Sequence, residues 1–137
     1  MMRRDSLYID GEWVDATGDG VIEVVNPATE EVIGSVPVGS QADVDAAVTA
    51  ARAAFPAWRA STCEERIAAL NALSAAIKEN TEELAQTITA EVGTPIGYSR
   101  MAMVGTPRVV ARSYAKLLET FEWEVEVRNS LIVKEPI

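Results

Sequence analysis

The stretch VVNPATEEVIGSV, residues 24–36, is two apolar runs joined by a polar corner. Val24, Val25, Val32, Ile33 and Val36 are β-branched and favour extended backbone. Asn26-Pro27 is a turn signal between them. The pattern predicts a strand pair over 21–26 and 31–37. On its amino-terminal side, LYID and EWVD flank Asp10-Gly11. That dipeptide suits a type I′ turn, whose two central residues both take positive φ, so a first hairpin is expected there. The segment ATGDG at 16–20 reads as a loop.

On the carboxyl-terminal side the period changes from two to 3.6. Ser40-Gln41-Ala42-Asp43 has the form of a capping box, in which hydroxyl and carboxylate each take an orphan backbone N–H. Val44, Ala47, Val48, Ala51, Ala54 and Phe55 follow at helical spacing, and Pro56 is expected to end the helix. A second helix is predicted from Ser61 or Thr62, with Ile67, Leu70, Leu73 and Ile77 on one face. A third begins near Asn80, where Asn80-Thr81-Glu82-Glu83 resembles another capping box. It carries Leu84, Ile88 and Val92 and stops at Gly93 as a C′ glycine. After Pro95 a fourth helix is expected to run to about Phe121. It is interrupted at Gly105-Thr106-Pro107, with Thr106 capping and Pro107 at the first helical position. WEVEV then alternates with period two, RNS turns, and LIVKEPI begins a further strand. The fold class is α/β: N-terminal hairpins, about four helices, then a hairpin. No repeat, low-complexity segment or dividing linker interrupts it.

Composition narrows the chemistry. The chain has 137 residues, a net charge of −9 and 48% hydrophobic residues. Scattered basic residues in an acidic chain argue against nucleic acid, which rewards clustered Lys and Arg through counterion release. No apolar run reaches the roughly 18 residues of a membrane span. MMRRDSLYID lacks the apolar core of a secretory signal, and one cysteine fits a reducing compartment, so the expected location is the cytoplasm. There is no histidine, which removes the commonest general base and metal ligand. Neither a dinucleotide glycine fingerprint nor a P-loop is present. Cys63 falls in the first turn of a predicted helix, where the dipole can activate a thiol. With no base partner it reads as an inert or merely modifiable thiol. Trp13, Trp58 and Trp123 read as packing residues.

Taken in order, LYIDGEWV, VVNPATEEVIGSVPVGSQADVDAAVTAARAAFPAWRAST, ERIAALNALSAAIKENTEELAQTITAEVGTP and VKEPI resemble the N-terminal part of the NAD(P)-dependent aldehyde dehydrogenase superfamily. The resemblance runs from about Leu7 to Ile137. It implies part of a cofactor domain over 1–137, with 123–137 entering an oligomerisation arm, so the chain reads as incomplete relative to the family fold. It implies NAD or NADP in the complete enzyme, an aldehyde substrate and a homo-oligomer. The family's nucleophile, base and oxyanion-hole asparagine follow its Glu-Pro-x-Gly strand, which is reached here at Glu135-Pro136-Ile137. No catalytic or cofactor-binding residue is therefore assigned, and this chain alone is expected to bind no cofactor and show no activity.

The resemblance also places two sites. Glu91-Val92-Gly93-Thr94-Pro95 matches the family's Glu-x-Gly-Lys-Pro corner, with Thr94 in place of lysine. Val24, Val25 and Glu91 are the positions matching a monovalent-cation site, and the bland alternative is a helix end with a solvated glutamate. YSRMAMVGTPRVVARSY matches the helix lining the substrate-tunnel mouth, with Met103 and Pro107 as wall positions. The alternative there is that Met101, Met103 and Val104 are core residues. A free-standing α+β interaction module without catalysis is the rival reading of the whole chain.

Overall fold

The computed structural model describes residues 2–3 and 6–135. Pro136 and Ile137, the end of the expected Glu-Pro strand, lie outside the described residues. Strand β2 (Ser6–Ile9) pairs with β3 (Glu12–Asp15) around Asp10 and Gly11, whose φ values of 54° and 82° are those of the expected turn. Strand β4 (Val21–Val25) pairs antiparallel with β5 (Val32–Pro37), as the opening stretch predicts. The corner between them is held locally. Asn26 Oδ1 accepts the Ala28 N–H at 2.8 Å, and the Asn26 carbonyl accepts the Glu30 N–H at 2.8 Å. A short strand β1 (Met2–Arg3) adds parallel to β5, giving the order β1-β5-β4. This pairing was not foreseen, because two residues carry no periodicity.

Helix α1 (Gln41–Arg59) starts on the predicted capping box. Asp43 does more than cap. Its carboxylate accepts the Ser40 N–H at 2.7 Å, the Thr17 N–H at 3.0 Å and the Thr17 hydroxyl at 2.9 Å. The cap thereby ties the 16–20 loop to the helix start, and Asp43 is only 7% exposed. Pro56 does not end the helix, contrary to expectation. It lies in the last turn, where its missing N–H removes one ladder bond, and the Ala60 N–H resumes the pattern onto the Pro56 carbonyl at 3.1 Å. Arg66 closes this end, donating to the carbonyls of Trp58 and Arg59 and stacking over the Trp58 ring at 5.1 Å. Arg59 also pairs with Glu135, just beyond the last strand.

Helix α2 (Cys63–Glu79) begins on a capping box between Thr62 and Glu65. Helix α3 (Thr81–Val92) follows with only Asn80 between them. The capping box expected at Asn80 does not form. Asn80 also terminates α2, and its side chain turns back to donate to the Ala76 carbonyl at 2.8 Å. The next helical stretch is continuous: α4 (Ile96–Tyr98), a π-helical turn over Ser99–Val104, and α5 (Gly105–Leu118). The expected break at 105–107 is absent and Thr106 caps nothing. Pro107 would crowd the carbonyl four residues back, and the wide π turn immediately upstream relieves that conflict. The helix stops at Leu118, short of the expected Phe121, and two tighter bonds at 120 and 121 finish it. A last hairpin, β6 (Glu124–Val127) and β7 (Ser130–Val133), turns on Arg128 at φ 55°.

The core is small and built from small residues. Ala111 and Ala115 of α5 are buried where it packs on α2, and the buried Ser74 hydroxyl donates to the Arg108 carbonyl at 3.2 Å across that contact. Ala85 and Val104 are buried where α3 meets the helical stretch that follows it. Small side chains let the helix axes approach closely.

The Ser40 N–H, foremost, with the Thr17 hydroxyl and N–H, holds the Asp43 carboxyl below its ordinary range against an opposing effect of burial. A lowered folded-state pKa stabilises the fold above the unfolded-state value, and that contribution is lost as pH falls through it. Thermal melts between about pH 6 and pH 3 should therefore show wild type losing stability on the acid side more steeply than Asp43→Asn. Parallel pH profiles would remove Asp43 from this role.

Candidate functional site

Two regions hold the residues singled out from sequence. The first is the corner where the Asn26-Pro27 turn meets the end of α3. Gly93 ends that helix at φ 75°, and its N–H reaches the Thr89 carbonyl at 3.0 Å. A Cβ on residue 93 would stand 2.9 Å from Pro27 Cγ. Glycine therefore meets two demands here: left-handed backbone and contact with the proline ring. The contact brings the end of β4 and the last turn of α3 together. Between Val24 and Val25 the ladder shifts register, from Val24 opposite Gly34 to Val25 opposite Val32. Val24 is half-buried and Val25 is exposed. Glu91 is exposed on the final turn of α3, and no hydrogen bond or ion pair engages it among the described residues. The corner offers one free carboxylate and main-chain carbonyls, donors of the kind that hard cations take. No group of three or more His, Cys, Asp or Glu among the described residues could hold a metal.

The second region is the π turn and the face of α5 that continues from it. Ser99 is fully buried, with its hydroxyl 2.9 Å from Thr89 Oγ1. Beside it Arg100 grips Glu82 of α3 with two bonds of 2.7 Å, from Nε to Oε2 and from Nη2 to Oε1. The Arg100 guanidinium, helped by the Gln86 amide, brings the Glu82 carboxyl down to about 2. These two anchors fix the turn on α3 and decide which side chains face out. Val104 goes inward at 3% exposed, the core residue of the alternative reading. Met101 and Met103 face solvent at 73% and 42% exposed, so neither belongs to the core of the described residues. Pro107 is exposed one turn beyond Met103, and Val110 and Tyr114 continue the same stripe along α5. The sequence reading missed this continuation, although the spacing i, i+4, i+7, i+11 carries it. It also missed the π turn, where Pro107 was read as a helix start, and it missed Thr17 and the Glu82–Arg100 pair, which depend on contacts between distant segments.

Cys63 is half-buried at the first position of α2. In a chain without histidine it gains no imidazole to activate it. Trp13 meets Tyr8 with ring centres 5.1 Å apart and planes tilted by 57°, Trp58 lies under Arg66, and Trp123 meets Phe121 edge-on at 4.7 Å. Each packs on a neighbour, yet Trp13 and Trp58 remain exposed. No helix among the described residues is long and apolar enough to cross a membrane.

The profile of the aldehyde dehydrogenase family matches residues 13–137. The chain belongs to the aldehyde dehydrogenase family. A Staphylococcus aureus relative (strain bovine RF122 / ET3-1) whose name assigns it to the aldehyde dehydrogenases is 40% identical over 132 residues, covering 95% of this chain and 27% of the relative. Aldehyde dehydrogenase C of Pseudomonas syringae, a mutant in complex with NAD+ and octanal, superposes with a TM-score of 0.89 at 40% identity, over 94% of this chain and 27% of its own. Lactaldehyde dehydrogenase of Escherichia coli superposes with a TM-score of 0.84 at 31% identity, over 95% of this chain and 27% of its own. The chain thus spans about a quarter of the length of these aldehyde dehydrogenases and is similar to their N-terminal region, as the sequence implies.

Proposed function

We propose that residues 1–137 form the N-terminal segment of an aldehyde dehydrogenase subunit, part of its cofactor domain, with 123–137 entering the arm through which subunits pair. The complete homo-oligomeric enzyme oxidises an aldehyde to a carboxylic acid and passes hydride to NAD or NADP. One observation carries this reading: at 40% identity, nearly the whole chain superposes on part of an aldehyde dehydrogenase that holds NAD+ and octanal. Within it, Met103 and Pro107 belong to the wall of the substrate tunnel. The exposed apolar stripe that runs on through Val110 and Tyr114 supports that role. Val24, Val25 and Glu91 contribute oxygens to a monovalent cation, which the meeting of Pro27 with Gly93 and the unengaged Glu91 carboxylate support.

By itself this segment supplies scaffold and no chemistry. It has no histidine to pair with Cys63. The purified 137-residue chain should give no reduced cofactor from octanal with NAD+ or NADP+. A measurable rate that Cys63→Ser abolishes would move the chemistry into this chain and contradict the reading.

The cation role has its own check. Replacing an organic cation by potassium at constant ionic strength should raise the melting temperature of wild type and leave Glu91→Gln unmoved. Equal responses would take Glu91 out of the site.

A further inference from the structure

The π turn over Ser99–Val104 is an unusual way to begin a long helix. Such turns are rare and recur at functional sites. Pro107 supplies the local reason for this one. It has no N–H to give the carbonyl of Met103, four residues back, and its ring crowds that carbonyl. The turn that carries Met103 is therefore held less firmly by its own ladder than an α-helical turn is. Its orientation has to come from elsewhere.

Helix α3 supplies it at two points. The buried Ser99 hydroxyl lies 2.9 Å from Thr89 Oγ1 and donates to the Thr94 carbonyl at 3.4 Å. One residue on, Arg100 grips Glu82 with its fork of two 2.7 Å bonds. Glu82 is itself held, because the Gln86 amide one turn along α3 donates to Glu82 Oε1 at 2.9 Å. A single contact lets a helix roll about it. Contacts from two neighbouring residues, made to anchors two turns apart on α3, fix the roll. Glu82 and Arg100 are each about half exposed, and a pair so exposed adds little to stability. What the fork adds is an angle, since both bonds form only in one orientation of the guanidinium.

We propose that the Glu82–Arg100 pair is a positioning device for the substrate tunnel. It sets the rotation of the π turn that presents Met103 beside Pro107, and thereby decides how well the enzyme holds aldehydes whose alkyl chain reaches the tunnel mouth. The inference rests on the tunnel reading of Met103 and Pro107 given above. It adds two residues that touch neither substrate nor cofactor and act through the turn they hold. A long alkyl chain extends to the mouth; acetaldehyde, with a single methyl group, does not.

The test uses the complete subunit containing these residues, as wild type, Arg100→Leu, Glu82→Gln and the double variant. Arg100→Leu should raise KM for octanal about tenfold, the scale of one altered apolar contact, and leave kcat and the KM for acetaldehyde within about twofold. Melting temperatures should hold, because the pair is half exposed. The double variant should be no worse than the worse single one, as expected of two residues acting as a unit. With methyl-labelled methionine, the Met103 resonance, assigned through Met103→Leu, should move in Arg100→Leu and Glu82→Gln while methionines away from the π turn hold still. An unmoved Met103 resonance, an octanal KM that shifts no more than that for acetaldehyde, a fall in kcat for both aldehydes, or additive effects in the double variant would each overturn the proposal. A Met103 resonance that moves as described, in a subunit that oxidises neither aldehyde, would support the positioning and count against the functional reading.

Discussion

A chain of this size can fold only by hiding apolar surface, and this one leaves about 3,000 Å² more exposed than a self-contained monomer of its mass. That constraint governs the rest of the structure. The contact that does close, α5 on α2, is made by alanines and a serine, which bring helices close but bury little apolar area. The larger side chains of α1 and the far face of α5 point away from it. Covering a Val, Leu or Phe side chain is worth ~1.5–3 kcal/mol, against a net stability of ~5–15 kcal/mol for a whole domain. Several such residues left bare are enough to decide whether the chain stands alone.

What was legible in the sequence was local. Asp10-Gly11, Asn26-Pro27, Ser40 with Asp43, and Gly93 each set their structure through bonds within a few residues, and each was read from its own neighbours. The same approach failed where one residue had two claims on it. Asn80 closes α2 and opens α3, so its amide cannot also cap the second helix. Pro56 and Pro107 looked like boundaries. The chain absorbed one by losing a single bond near a helix end and the other by widening a turn upstream.

The candidate sites divide along the same line. Met103 and Pro107 came from a resemblance, and their exposure follows from Ser99 and the Glu82–Arg100 pair, which periodicity does not reveal. The corner of Val24, Val25 and Glu91 depends on Pro27 meeting Gly93 across more than sixty residues of chain. Thr17 had no signal at all, because a threonine in a polar loop looks the same whether or not a carboxylate waits 26 residues away.

The central claim is that the uncovered faces make this chain dependent on a partner surface. Sedimentation velocity of the purified 137-residue chain in dilute buffer addresses it most directly. The account predicts a broad, concentration-dependent distribution of associated species, whereas a single monomeric boundary at all concentrations would contradict it.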